Sequence, residues 1–71
     1  MIANKKALEI KMLEKDFTYH MLAEKMNISF TALHNKINKS VDFKLKETQT
    51  ISDILDLSMA EYCKIFIPKF S

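Results

Sequence analysis

Residues 18–37 read TYHMLAEKMNISFTALHNKI, a stretch that predicts two short helices joined by a tight turn. Thr18 and Ser29 are favourable N-cap residues for the first and the second helix. Between them, three apolar side chains recur at the spacing of one helix face, Leu22, Ala23 and Met26. Asn27 stands where the chain has to turn, because asparagine is the best residue after glycine for the left-handed conformation that ends a helix. We therefore expect one helix over Tyr19–Met26 and a second that begins at Ser29.

The second helix of this pair, which we expect to run to about Asn38, has one apolar and one polar side. Leu33 and Ile37 lie within about 40° of each other at 100° per residue, and this side faces the core. The opposite side carries short hydrogen-bonding side chains, Thr31, His34, Asn35 and Asn38. Asparagine can pair with adenine N6 and N7, and a threonine methyl can pack on the thymine methyl. The unit at about residues 18–38 thus has the layout of a helix-turn-helix, whose second helix enters the DNA major groove.

Several side chains of this unit have two interpretations at the level of sequence. The polar side of the second helix is either a base-reading face or an ordinary solvent-facing surface, and its short side chains favour the first. Phe30 either widens the core beside Leu33 or, as a first-turn residue, contacts a thymine methyl. His34 is expected to hydrogen-bond a base or a phosphate, and protonation adds a positive charge to it. His20 is expected to be an ordinary surface residue.

Phosphate contacts are expected at the ends of these helices and from nearby polar and basic residues. Tyr19 and the helix N-terminus at Ser29 are the expected anchors, because free N–H groups and the helix dipole attract phosphate. The remaining candidates are Lys36, Asn38, Lys39 and Lys44. Residues 17–46 hold five lysines against two acids, whereas residues 47–71 hold two lysines against four acids, so the positive potential lies on the predicted DNA-binding unit. Every basic residue is lysine, which excludes bidentate contacts from arginine to guanine.

The rest of the chain predicts supporting helices and one loop. Further helices are expected from an N-cap at Asn4 to about Lys15, over residues 47–55, and from a Ser58–Glu61 capping box to a stop near Pro68. Residues 38–44 form the loop. Other positions expected to be apolar helix or core positions are Leu8, Ile10, Met12, Leu13, Phe17, Ile28, Phe43, Leu45, Ile51, Ile54, Leu55, Tyr62, Ile65 and Phe66. The fold class is therefore all-α, as one five-helix domain over residues 1–71.

Composition excludes several function classes. The single cysteine, Cys63, cannot form an internal disulfide, and no Cys/His cluster has zinc spacing. No glycine-rich phosphate loop, nucleophile set or paired metal ligands occur, so we expect no catalytic residues, no metal, no cofactor and no enzyme activity. No apolar run approaches the length of about 18 residues that a membrane span needs, and no signal-peptide pattern precedes the first helix, so a cytoplasmic protein is expected.

The residues of this unit resemble the phage Cro/CI-type (XRE-like) helix-turn-helix family. The resemblance is carried by LAEKM at residues 22–26, Ile28-Ser29, Leu33 and NKIN at residues 35–38, and it continues through residues 43–58. It implies a lambda-repressor-like five-helix regulator that binds operator DNA, commonly as a dimer. Matched by position, Tyr19 is the phosphate anchor, and the reading face comprises Ser29, Phe30, Thr31, His34 and Asn35. The chain departs from the family at Tyr19, where glutamine is usual, at Asn27, which replaces the turn glycine, and at Ile37, which follows Leu33 by four residues rather than three.

The function expected from these observations is a sequence-specific transcription regulator, a Cro-like phage or mobile-element repressor that occludes a promoter. Its partner is double-stranded operator DNA, and a homodimer is expected through the apolar run at residues 62–70. The competing interpretation of that run is that Ile65, Phe66 and Phe70 close the core of the monomer. The alternative function is an antirepressor or co-repressor that keeps the fold and binds a partner repressor instead of DNA.

Overall fold

Five helices follow one another in the computed structural model, which describes residues 1–67. They are α1 (Lys5–Glu14), α2 (Tyr19–Met26), α3 (Phe30–Asn38), α4 (Leu45–Leu55) and α5 (Met59–Phe66). The described residues contain no strand, so the predicted all-α, five-helix class is confirmed. α2 packs against both α3 and α4, and α1 packs against α5. No helix within residues 1–67 has the length and apolar character that crossing a membrane requires.

Four of the five helices begin at the N-cap residues that the sequence predicts. In each case the side chain accepts the backbone N–H three residues later at 3.0 to 3.2 Å, as seen at Asn4, Thr18, Ser29 and Ser58. The carboxylate of Glu61 also accepts the N–H of Ser58 at 2.8 Å, which completes the predicted capping box. α4 begins two residues earlier than predicted, at Leu45, because Glu47 accepts the N–H of Lys44 at 2.8 Å and so lies in the first turn.

The core is formed by apolar side chains from all five helices, from the segment before α1 and from the loop before α4. Its buried members are Ala3, Leu8, Met12, Leu22, Ala23, Leu33, Ile37, Phe43, Ile51, Leu55, Ile65 and Phe66. Partly buried side chains that pack against them include Phe17, Met26, Ile28, Ile54 and Tyr62. The predicted inward faces of α2 and α3 are thus confirmed.

Three apolar residues expected at core or apolar helix positions are instead exposed. Ile10 and Leu13 are 50% and 78% exposed, because Leu8 and Met12 alone fill the buried side of α1 and these two residues lie on the opposite side. The prediction that Leu45 points into the core is wrong, since it is 56% exposed. The buried residues of α4 are Thr48, Ile51 and Leu55, and Leu45, as the first residue of the same helix, lies to one side of the face that they form.

A buried polar contact joins α4 to α5. Thr48 is fully buried, and its hydroxyl donates to the carbonyl of Leu45 at 2.7 Å. The Thr48 and Tyr62 hydroxyl oxygens lie 2.7 Å apart, so each hydroxyl has a hydrogen-bond partner. Burial of these polar groups is therefore compensated. This pair could not be predicted from periodicity along the chain, because the two residues belong to different helices.

An ion pair joins α1 to α5. The ammonium group of Lys11 pairs with the Glu61 carboxylate and lies 2.7 Å from Glu14 Oε1. The Lys11 ammonium, followed by the N–H of Ser58, lowers the pKa of Glu61 to about 2. Glu61 therefore has two roles, since it caps α5 and pairs with α1.

We expect Glu61→Gln to lower the melting temperature at neutral pH and to have little effect near pH 2. Glutamine keeps a capping acceptor but removes the charge that pairs with Lys11. Because folding lowers the pKa of Glu61 from 4.5 to about 2, the charge stabilises the fold fully above the unfolded pKa, and this stabilisation is lost as pH falls through the folded pKa. Thermal unfolding followed by circular dichroism across this pH range measures the gap between the two proteins.

The matched control is Asp53→Asn, which removes an exposed acid of α4 that forms no ion pair within the described part of the chain. Its melting temperature should follow that of the parent protein at every pH. A gap for Glu61→Gln that is as large at pH 2 as at neutral pH would contradict the assigned role of the charge.

Candidate nucleic-acid interface

The turn between α2 and α3 is built around Asn27. Its backbone is left-handed, at φ 59° and ψ 42°. The N–H of Asn27 donates to the carbonyl of Glu24 at 3.1 Å, and the N–H of Ile28 donates to the carbonyl of Ala23 at 3.0 Å. These bonds satisfy carbonyls at the end of α2, while Ile28 packs against the core. The turn therefore fixes the direction in which α3 leaves α2.

We expect the Asn27→Gly variant to be more stable than the Asn27→Ala variant by about 1 kcal/mol. Glycine adopts the left-handed conformation without a Cβ clash, whereas alanine has the clash and lacks the local hydrogen bonding of asparagine. Urea denaturation of the two variants measures the difference in the free energy of unfolding. Equal stability of the glycine and alanine variants would contradict the assigned backbone constraint.

One side of α3 is exposed along the helix, as the sequence predicts. Leu33 and Ile37 are buried and hold the opposite side against the core. Thr31 and His34 are exposed, and Asn35 is half-buried beside them. These three predicted base-contacting side chains therefore lie on or beside the exposed side of an anchored helix, and the fourth, Phe30, is exposed at its start.

The two predicted residues at the ends of α3 have local structural roles as well. Ser29 is exposed and caps α3 by accepting the N–H of Ala32 at 3.0 Å. Asn38 is half-buried, and its Nδ2 donates to the carbonyl of His34 at 2.9 Å. The remaining free N–H groups in the first turn of α3 are a suitable site for a phosphate oxygen.

Phe30 lies outside the core, so the interpretation that it widens the core is wrong. Its side chain is 38% exposed at the start of α3. The ring stacks on His20 of α2, with centroids 4.2 Å apart and planes inclined by 13°. His34 and Tyr19 border the same ring at centroid distances of 5.6 and 6.2 Å. We call these four residues the aromatic cluster.

The contact of His20 with Phe30 was missed by the sequence reasoning. His20 is exposed, as expected of a surface residue, but it forms the closest aromatic contact in the described chain. No periodicity within α2 or α3 indicates this pair, because the contact depends on the angle at which α3 packs on α2.

Tyr19, the expected phosphate anchor, already has a partner. Its hydroxyl donates to Glu9 Oε2 of α1 at 2.6 Å. Burial and, secondly, this hydrogen bond raise the pKa of Tyr19 to about 12, so the hydroxyl keeps its proton at neutral pH. Because the hydroxyl has one proton, a phosphate contact requires it to turn away from Glu9. The sequence did not point to Glu9.

The candidate lysines divide into one that is paired and others that are free to meet phosphate. Lys36 lies 3.3 Å from Glu47 Oε1, donates to the carbonyl of Asp42 at 3.3 Å, and sits 5.5 Å from the centre of the Phe43 ring. Its ammonium therefore joins α3 to α4. Within residues 1–67, no ion pair involves the exposed lysines Lys25, Lys39, Lys44 and Lys46.

Comparisons with protein-family models, with curated proteins and with solved structures give no match to this chain. In the part of the chain that the structure describes, no group of three His, Cys, Asp or Glu side chains is placed to hold a metal ion.

Proposed function

We propose that this protein is a sequence-specific DNA-binding transcription regulator whose α3 enters the major groove. The observation that carries the proposal is the exposed polar side of α3, held outward by Leu33 and Ile37 and preceded by a fixed turn at Asn27. A helix fits the major groove, which is about 12 Å wide, and its exposed side then meets the base edges. The resemblance of residues 22–38 to the Cro/CI-type family supports the same proposal.

The side chains on and near the exposed side of α3 divide into those that contact bases and those that attract phosphates. Asn35 pairs with adenine N6 and N7, and Thr31 and His34 contact neighbouring base edges. Lys39 and Lys44 attract the phosphates, and Lys25 and Lys46 add to the positive potential. Lys36 holds α3 against α4 and contributes less to phosphate binding than its position in the sequence suggests.

We further propose that the protein represses transcription as a homodimer on a palindromic operator. Half-sites of such operators lie about one helical turn, roughly 34 Å, apart. Ile65 and Phe66 are buried in the monomer core, and Ile67 packs against it. Few apolar side chains of residues 62–67 are therefore available for a dimer contact. Pro68 and Phe70, which complete the predicted run, lie outside the described residues. Sedimentation at several protein concentrations tests the dimer.

The test of DNA binding is a titration of the protein onto the intergenic DNA upstream of its own coding region at several salt concentrations. Specific binding should weaken steeply with salt, with a slope of log K against log salt near −3.6 per subunit if about four lysines meet phosphates. Mixed-sequence DNA of equal length is the control. Equal affinity for the two DNAs would contradict sequence-specific regulation.

One observation favours a second candidate, the antirepressor or co-repressor that binds another regulator. Phe30 exposes an apolar ring at the start of α3, and Glu9 places a negative charge beside Tyr19 of the same cluster. Such a surface is better suited to binding a protein partner than to binding a phosphate backbone. No binding to local DNA, together with tight binding to the product of a neighbouring regulator gene, would favour this candidate.

A further inference from the structure

The aromatic cluster is the one apolar feature on an otherwise polar surface of α3. Phe30 is the first residue of this helix and is followed directly by the exposed Thr31. Its ring is held by His20 on one face and is bordered by Tyr19 and His34. Tyr19 is itself fixed by its hydrogen bond to Glu9 of α1. Side chains of α2 and α3 therefore border the exposed phenyl ring, and one of them, Tyr19, is in turn bonded to α1.

The chemistry of the major groove indicates what an apolar ring in this position can contact. Base edges there present hydrogen-bond donors and acceptors, and the one apolar group among them is the 5-methyl of thymine. The N-terminal residues of a recognition helix are the ones that meet base edges. A phenyl ring makes no hydrogen bond, so its specific contact in the groove is with that methyl group.

We infer that Phe30 is a specificity-determining residue that recognises the 5-methyl group of thymine, and that His20 is the positioning residue that holds its ring. This inference rests on the proposed DNA-binding function. His20 lies parallel to one face of Phe30, which leaves the edge of the ring for the base and restricts its rotation. A ring held before binding loses less conformational entropy when the base arrives.

The test uses operator duplexes in which each thymine in turn is replaced by deoxyuridine, which lacks only the 5-methyl group. At one position in each half-site, we expect the replacement to weaken binding of the parent protein about fourfold, the effect of one buried methylene-sized group. Phe30→Ala should bind the thymine and deoxyuridine duplexes equally. Because Phe30 lies outside the core, this variant should keep its circular dichroism spectrum and a cooperative unfolding transition, with a melting temperature still well above that of the binding assay.

Further variants distinguish recognition of the thymine methyl by Phe30 from positioning of the Phe30 ring by His20. His20→Ala should lose most of the fourfold discrimination, and His20→Phe, which keeps a flat ring for the stack, should restore it. Lys39→Ala should weaken binding to both duplexes and keep their ratio. Thr31→Ser removes the methyl group of Thr31, which is the other apolar group on this side of α3 that can pack on a thymine methyl, and the ratio at the Phe30 position should survive it.

The outcomes that overturn the inference are distinct from those that overturn the proposed function. Specific binding without sensitivity to any thymine methyl, or discrimination that survives Phe30→Ala, overturns the role of Phe30 and leaves DNA binding intact. Loss of discrimination in Thr31→Ser alone transfers the role to Thr31. Absence of any specific DNA binding overturns both, and a neighbouring regulator whose binding depends on Phe30 assigns the aromatic cluster to a protein interface.

Discussion

Phe43→Ala should lower the free energy of unfolding by about 3–5 kcal/mol, the usual effect of removing a buried phenyl ring. Phe43 is 2% exposed, and its ring lies edge-on to Phe66 with centroids 5.8 Å apart. The ring also lies under the Lys36 ammonium, so it supports the contact of α3 with α4. A chain of 71 residues has a total stability of about 4–11 kcal/mol, so this one change removes a large part of it.

Urea denaturation followed by circular dichroism measures the effect. The matched control is Val41→Ala, two residues earlier in the same loop, where the side chain is 43% exposed and the change should stay within about 0.5 kcal/mol. Phe43→Leu, which keeps most of the apolar volume, should fall between the two. A loss below about 1 kcal/mol for Phe43→Ala would show that the core closes without this ring.

Asn35→Ala should weaken binding to the cognate operator by about 1–3 kcal/mol, which is roughly a 5- to 150-fold rise in Kd. Its binding to mixed-sequence DNA should stay unchanged, because an amide contact to adenine contributes only where the adenine is present. Asn35 is half-buried beside the exposed Thr31 and His34, and it is not a member of the buried core. Fluorescence anisotropy with labelled duplexes measures both affinities.

Lys39→Ala is the matched comparison, since Lys39 is exposed just beyond the last turn of α3. This variant should weaken binding to all sequences alike and reduce the salt slope by about 1. If Asn35→Ala instead weakens operator and mixed-sequence DNA equally, the role of Asn35 in base recognition is wrong and the exact contacts of α3 must be assigned again.

The parts of the fold that sequence could predict depend on neighbours a few residues apart. The caps at Thr18 and Ser29 and the left-handed turn at Asn27 each involve a residue and the backbone within four positions of it. The predicted start of α4 is two residues too late, because the carboxylate of Glu47 reaches back to the N–H of Lys44 and so belongs to the first turn of the helix.

The exposed side of α3 could be predicted from the sequence, whereas the contacts between helices at the candidate site could not. The helical wheel separates Thr31, His34 and Asn35 from the buried Leu33 and Ile37 because both sets lie on one helix. The contacts between Glu9 and Tyr19, His20 and Phe30, and Lys36 and Glu47 each join two helices. Their existence depends on how the helices rotate and pack against each other, which periodicity along one helix does not encode.

Because the chain has no tryptophan, its two tyrosines are the residues that dominate its intrinsic fluorescence. Tyr19 lies in the aromatic cluster, and its hydroxyl donates a hydrogen bond to Glu9. Tyr62 lies where α4 contacts α5, and its hydroxyl is hydrogen-bonded to the hydroxyl of Thr48. Intrinsic emission therefore combines one signal from the proposed interface with one from the contact between α4 and α5. In a Tyr62→Phe protein, all of the emission comes from Tyr19, and an approaching ligand that displaces Glu9 changes its intensity without any attached dye.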